Sequence, residues 1–183
     1  AKSPARPGLA LDGRHFLPAS CSRDTQHDFG DLLALGHEPA AEDVRRALSA
    51  ALGYWKNNPR IATAVLSGLA KARRPLVAVR LLDCMQESQV EVNVVHCSAG
   101  MAACEKSGRW EHAVALLSSM ARLLVEPNVI SCNTAISACE KAGGWQRAVA
   151  LLGAAPLLHV APDAVSSNAA ISACEKGGRW QAA

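Results

Sequence analysis

Aromatic residues are scarce in this chain and make up only 4% of its 183 residues. Ala, Leu and Val dominate instead, which favours closely packed helices over a sheet built from aromatic and β-branched side chains. Every long apolar run is interrupted by a charged residue before it reaches 18 residues, so the sequence predicts no membrane-spanning helix. Half of the residues are hydrophobic, which is enough for a continuous core. We therefore expect an all-α protein that makes no use of a membrane.

The sequence also lacks the patterns on which most catalytic sites depend. It contains no nucleophile placed beside a base, no carboxylate pair at helical spacing and no phosphate-binding loop. The six histidines share no constellation, and no C-x2-C motif or paired histidine accompanies the cysteines. We predict a protein that is not an enzyme and that carries neither a cofactor nor a metal.

The seven cysteines are an odd number, and five of them recur at the spacing of the repeat described below. One cysteine per repeat cannot surround a metal ion or build a disulfide framework, whereas it suits a small residue buried in a helix. The sequence thus predicts core positions for these five: Cys97, Cys104, Cys132, Cys139 and Cys174.

An internal repeat of 35 residues is the main feature of the sequence. Segments that begin at Asn93, Asn128 and Asp163 share one frame and read NVVHCSAGMAACEKSGRWEHAVALL, NVISCNTAISACEKAGGWQRAVALL and DAVSSNAAISACEKGGRWQAA. A further step back reaches Asn58, where the Lys and the Leu-Leu pair persist but the Cys-Glu and the Trp do not. The predicted organisation is a flexible or irregular leader at 1–40, a capping helix or decayed repeat at 41–57, a diverged repeat at 58–92, repeats at 93–127 and 128–162, and a truncated repeat at 163–183.

Each repeat predicts two helices with a turn between them. In the repeat at 128–162 one helical stripe is formed by Val129, Cys132, Ala135, Ile136 and Cys139. Gly143-Gly144 breaks the pattern before a second stripe begins at Trp145. Because two helices of this size cannot bury their apolar stripes alone, the repeats must stack into a solenoid with a concave groove.

The excess positive charge lies in the repeats. Seven basic residues balance seven acidic ones from 1 to 57, whereas twelve basic residues face nine acidic ones from 58 to 183. The repeats are therefore the better candidate for binding a polyanion.

The segment NVISCNTAISACEKAGGWQRAVALL resembles the pentatricopeptide repeat, whose 35-residue units open with V-x-x-Y/C-N-x-x-I and turn at K-x-G. The W-x2-L-G-x2-Y signature of tetratricopeptide repeats is absent. The resemblance covers Asn58 to Ala183 and implies a right-handed superhelix of helix-turn-helix repeats. It also implies selective binding of single-stranded RNA, with one nucleotide for each repeat.

The resemblance assigns roles to particular residues. Base reading falls on Thr63 with Asn93, Ser98 with Asn128, Asn133 with Asp163, and Asn168 alone. By the family's code these positions specify the order A-A-U-pyrimidine. Sandwiching of the bases falls on Val95, Ile130 and Val165, and Arg60 at the same register departs from the usual aliphatic residue. For the polar members of the first helix, local capping of that helix is the alternative interpretation.

One lysine per repeat lies eight residues after each of these polar groups: Lys71, Lys106, Lys141 and Lys176. A row of single cations matches a backbone with one phosphate per nucleotide, and the family's equivalent lysine lies near phosphates. The alternative is a solvated helix end, where the helix dipole favours lysine. Trp110, Trp145 and Trp180 open the second helices, so we expect them to pack against the neighbouring repeat rather than to stack on bases.

The resemblance implies a role in organellar RNA processing, stability or translation, in a plastid or a mitochondrion, with other RNA-processing proteins as further partners. A protein-interaction scaffold of tetratricopeptide-like type is the alternative, because both kinds of solenoid offer the same groove.

Overall fold

The computed structural model describes residues 16–18, 21–36 and 38–179. Every regular element in this part of the chain is a helix, which confirms the predicted all-α solenoid class. The helices are α1 Arg23–Ala34, α2 Ala41–Leu48, α3 Ala51–Trp55, α4 Pro59–Lys71, α5 Pro75–Glu87, α6 Val94–Lys106, α7 Trp110–Met120, α8 Val129–Lys141, α9 Trp145–Ala154, a 3-10 helix at Ala155–Leu158, and α10 Ala164–Lys176. None of these helices has the length and apolar character needed to cross a bilayer.

The 35-residue period of the sequence is also the period of the helices. The first helices of successive units, α4, α6, α8 and α10, begin at Pro59, Val94, Val129 and Ala164, and each is 13 residues long. Residues with equal places in the repeat therefore occupy equal places on these helices.

The helices form two layers. In one layer α4 packs on α6, α6 on α8, and α8 on α10. In the other, α5 contacts both α4 and α6, α7 contacts both α6 and α8, and α9 contacts both α8 and α10. Because each second helix bridges two first helices, adjacent units share buried apolar residues. One apolar cluster runs from Leu17 to Val160, and a second joins α8, α9 and α10 through Ile136, Cys139, Ala148, Ala169, Ala170 and Ala173.

The turn inside each unit uses a left-handed backbone residue. Gly108, Gly143 and Gly178 have φ values of 65°, 72° and 63°, a region that glycine enters at little cost. Arg73 holds the same place in the first unit with a φ of 54°. After it, the N–H of Arg74 donates to the carbonyl of Leu69 at 3.0 Å, which is the Schellman closure of a helix C-terminus.

A second left-handed position closes each unit. Gln89, Leu124 and His159 have φ values of 56°, 55° and 58°, again 35 residues apart. The valine that follows each of them, Val90, Val125 or Val160, is buried, and its N–H donates to a carbonyl five residues earlier. The buried valine supplies the hydrophobic contact that accompanies a Schellman motif, and it lies where one unit joins the next.

The structure contradicts the prediction of an irregular leader over 23–34, which forms α1. Ser22 caps α1 by accepting a hydrogen bond from the Thr25 N–H, and Phe29 and Leu32 are fully buried in the shared core. The sequence did not predict this helix, because charged residues are scattered along it and its apolar stripe is short. Residues 1–15 of the predicted leader lie outside the described part of the chain.

The segment at 41–57 forms two helices, α2 and α3, instead of one. α1 packs on α2 and α4, while α2 packs on α5. The pair α1 and α2 therefore precedes α4 and α5, and we call this pair the preceding unit.

Candidate nucleic-acid interface

The last residue of each assigned reading pair also caps the helix of the next unit. Asn93 Oδ1 accepts hydrogen bonds from the N–H groups of Val95 and His96, each at 3.1 Å. Asn128 Oδ1 accepts from the Ser131 N–H at 2.9 Å, and Asp163 Oδ1 accepts from the Ser166 N–H at 2.8 Å. Because the caps use the side-chain oxygens of the two asparagines, their Nδ2 groups are left as hydrogen-bond donors.

Asp163 offers a different group at the same place. The hydrogen bond from the Ser166 N–H, with others from Asn133 and the Ser166 hydroxyl, lowers the pKa of its carboxyl group. The side chain is therefore an ionised acceptor near neutral pH, whereas the two asparagines present donors.

The fifth residues of the four first helices are Thr63, Ser98, Asn133 and Asn168. The first three are half-buried and Asn168 is exposed, so none is sealed between the layers. Thr63 Oγ1 donates to the Pro59 carbonyl at 3.4 Å, which is a bond to the preceding turn of its own helix and not a cap, since a cap accepts from an N–H.

Asn133 makes a contact between units. Its Nδ2 donates to both carboxylate oxygens of Asp163, each at 3.1 Å, across 30 residues of sequence. Its Oδ1 is buried without a hydrogen-bond donor among the described residues. The structure thus brings together the third predicted pair, and it leaves one acceptor of that pair unsatisfied.

The three predicted sandwiching residues form an exposed apolar row. Val95, Ile130 and Val165 are the second residues of α6, α8 and α10, with 52%, 64% and 58% of their surfaces exposed. Arg60 occupies the same register on α4 and is also exposed. Aliphatic side chains repeated at one exposed register form a flat contact surface beside the polar row.

The predicted lysine row is only partly available to a ligand. Lys141 pairs with Glu105 at 2.7 Å, and Lys176 pairs with Glu140 at 2.8 Å, each across the boundary between two units. Lys71 instead donates to the Phe16 carbonyl at 3.4 Å.

Glu140 accepts hydrogen bonds from two side chains of α10, those of Ser172 and Lys176. Burial raises the pKa of Glu140, but hydrogen bonds from Lys176 and from the Ser172 hydroxyl at 2.9 Å outweigh that effect, so the pKa is lowered. Lys106 has no ion-pair partner among the described residues, because Ala70 stands where the later units have glutamate. The Cys-Glu-Lys repeat contained this signal, but sequence reasoning used only its lysine.

The tryptophans pack as predicted for the outer layer. Trp110 and Trp145 lie partly buried against the core between α8 and α10. The Arg147 guanidinium lies 3.9 Å from the centroid of the Trp110 ring, and a Cβ at Gly177 would come within 2.5 Å of the Trp145 ring. Packing against the neighbouring unit is confirmed for these two residues, while Trp180 lies outside the described residues.

The five recurring cysteines are buried, which confirms their predicted place in the core. Burial raises the pKa of Cys97 to about 11 and that of Cys104 to about 12, so both remain neutral thiols. Within the described ranges, no three or more His, Cys, Asp or Glu side chains form a group that could hold a metal ion.

Two functional candidates were missed from the sequence. His96 is fully buried between two units, and Tyr54 is 55% exposed beside Arg60. Neither repeats at 35 residues, so the period that identified the other candidates gave no signal for them.

Comparison with known proteins finds two family models that match part of the chain. The family model described as pentatricopeptide repeat domain matches residues 80–142, and the model described as PPR repeat matches residues 61–90. No curated protein matches the chain.

Proposed function

This chain is a pentatricopeptide repeat protein, and we propose that it binds single-stranded RNA selectively, with one nucleotide at each unit. RNA binding without catalysis is general for this family. The observation that carries the selective part is the contact of Asn133 with Asp163, where the fifth residue of one unit meets the cap of the next. Thr63 with Asn93 and Ser98 with Asn128 are polar residues at the same register, and such pairs would give these bases their own readers.

The exposed apolar row supports the stacking of bases. Val95, Ile130 and Val165 alternate with the boundaries at which the polar pairs lie. A base that enters between two successive aliphatic side chains covers both of them and turns its hydrogen-bonding edge toward the polar pair. In this proposal the exposed apolar row contributes binding affinity, and the polar pairs contribute base selectivity.

The chemistry of the pairs supports the order A-A-U-pyrimidine. Asn93 and Asn128 present amide donors, Ser98 adds a hydroxyl that donates or accepts, and the Thr63 hydroxyl, which donates to Pro59, adds an acceptor. Adenine offers both an acceptor and an amino donor on its Watson–Crick edge, which such a pair can match. The Asn133 and Asp163 pair offers acceptors and an amide, which suits the N–H and carbonyls of uracil.

We also propose that the RNA is organellar, in a plastid or a mitochondrion, and that binding supports its processing, stability or translation together with other RNA-processing proteins. Family membership alone supports this part of the proposal.

A titration with short RNAs tests the proposal. RNAs that contain A-A-U-C are compared with scrambled RNAs of the same composition at two salt concentrations. We expect tighter binding of the ordered RNA and an affinity that falls as salt rises, because phosphates are neutralised on binding. A chain without salt-sensitive RNA affinity would instead be a protein scaffold of the tetratricopeptide-like type.

Exchanging Asn133→Ser tests the code at one position. With Asp163 unchanged, we expect preference at the third nucleotide to move from uracil toward guanine by about tenfold, since one good base contact contributes about 1–3 kcal/mol. Affinities for the four RNAs that differ at this nucleotide measure the change. Gln146→Ser, on the exposed outer helix α9, is the matched control, and equal selectivity in both variants would refute the assigned role of Asn133.

A further inference from the structure

A cavity of about 360 Å³ lies beside the N-terminal end of the exposed row. Ser22 and Thr25 at the start of α1, Tyr54 on α3 and Arg60 on α4 contribute to its lining. Its volume falls in the range of about 300–1,000 Å³ that is usual for small-ligand sites.

The register of Arg60 relates this cavity to the proposed RNA track. Arg60 is the second residue of α4, in the same place as Val95 on α6. Because α1 contacts α4, and the cavity is lined by Thr25 of α1 and Arg60 of α4, the cavity lies one step beyond the base assigned to Thr63 and Asn93. A strand that continued past that base would reach Tyr54 and Arg60 next.

The lining suits a nucleotide whose base is not read. Tyr54 is an aromatic residue that is 55% exposed, and Arg60 is the charged member of the lining within the described part of the chain. The hydroxyls of Ser22 and Thr25 lie 2.9 Å apart and bond each other, and Thr25 is 3% exposed. This bond and the burial of Thr25 leave at most one hydroxyl proton for a base edge, so stacking and charge are the main contacts available.

We propose that this cavity binds one further nucleotide of the same RNA strand, with its base stacked on Tyr54 and its phosphate paired with Arg60, and without selection of the base. The proposal rests on the proposed RNA-binding function and extends its footprint by one step, onto the preceding unit formed by α1 and α2.

The test uses RNAs of equal length that carry one extra residue before the first adenosine of A-A-U-C. The extra residue is either a normal nucleotide or an abasic ribose phosphate, so that only the base differs. We expect the base to tighten binding at least about fivefold over the abasic form, with adenine and cytosine giving gains within a few-fold of each other. RNAs with the same two residues placed after the terminal pyrimidine provide the comparison, and should show a smaller difference.

Variants of the two contacting residues separate stacking from charge. Tyr54→Ala should remove the gain from the base, whereas Tyr54→Phe should keep it because the ring remains. Arg60→Gln should weaken the binding of the normal and the abasic RNA alike. It should also reduce the slope of log affinity against log salt by about 0.7, the value for one phosphate contact on a single strand. Tyr54 and Arg60 are exposed, and thermal unfolding checks that these variants fold.

The outcomes distinguish this inference from the function on which it rests. If A-A-U-C binds but the extra base adds nothing, or if the gain survives Tyr54→Ala, the cavity is not a nucleotide site while the proposed function stands. If no RNA binds, both are wrong.

Discussion

His96 is a fully buried histidine whose two ring nitrogens both have partners. Its Nδ1 accepts a hydrogen bond from the Asn93 N–H at 3.3 Å, and its Nε2 donates to the Pro59 carbonyl at 3.1 Å. This pattern requires the neutral ring with its proton on Nε2. Ser131 and Ser166 hold the equivalent places and close the same capping box with a hydroxyl. The histidine therefore joins two units in a way that its serine counterparts do not.

Stability should fall on acidification because of this residue. Burial lowers the pKa of His96 below its ordinary 6.5, despite hydrogen bonds and the nearby charge of Glu91. Below pH 6.5 the unfolded chain takes up a proton that the folded chain refuses, so its contribution to stability is complete above 6.5 and is lost as the pH falls through that value. Urea unfolding between about pH 7.5 and 5 measures this loss.

The variant His96→Ser is the control for that loss, because serine can form the capping box found at Ser131. We expect the variant to be less stable than the parent at neutral pH, since it leaves a cavity, and the difference to shrink as the pH falls. If the free energy of unfolding changed equally with pH in both proteins, His96 would not be the cause of the loss of stability.

At the level of elements, the first helices are tied to each other by ion pairs at their C-terminal ends. Glu105 on α6 pairs with Lys141 on α8, and Glu140 on α8 pairs with Lys176 on α10. Each pair spans the boundary that an RNA strand would also cross in the proposed complex. A lysine already neutralised by a glutamate attracts a phosphate less than one that is not.

The four lysines should accordingly contribute unequally to RNA affinity. Lys106→Gln should reduce the slope of affinity against salt by about 0.7, the value for one lost phosphate contact, whereas Lys141→Gln should change it little. Glu105→Gln should steepen the slope, since it releases Lys141. Binding at several salt concentrations measures all three variants, and equal slopes for the two lysine variants would contradict the role assigned to the ion pairs.

At the level of the whole molecule, one core joins the repeats to the helices that precede them. Phe29 of α1 is fully buried, and a Cβ at Gly68 of α4 would lie 2.9 Å from its ring. The Arg74 guanidinium also donates to the carbonyls of Leu33 and Leu35. The solenoid therefore extends past the matched repeats, and α1 covers the face of α4 that would otherwise be exposed.

Removing the ring of Phe29 should destabilise the repeats, although the residue precedes them in sequence. Phe29→Ala should lower the free energy of unfolding by about 3 kcal/mol, as is usual for a buried phenylalanine. Leu157→Ala, at a side chain that is 81% exposed, should change it by less than about 0.5 kcal/mol. Chemical denaturation followed by circular dichroism measures both, and similar small effects would place α1 outside the cooperative core.

The sequence alone determined the helical class, the 35-residue period and the residues that share a register, because helix formation and stacking follow from local patterns that recur along the chain. It also placed the cysteines and two of the tryptophans correctly, since each recurs at an apolar position. Contacts between units were decided only by the tertiary structure: the bond of Asn133 to Asp163, the pairing of Lys141 with Glu105, and the burial of Phe29 against α4. These depend on how far one helix lies from the next, a distance that no pattern within a single repeat encodes.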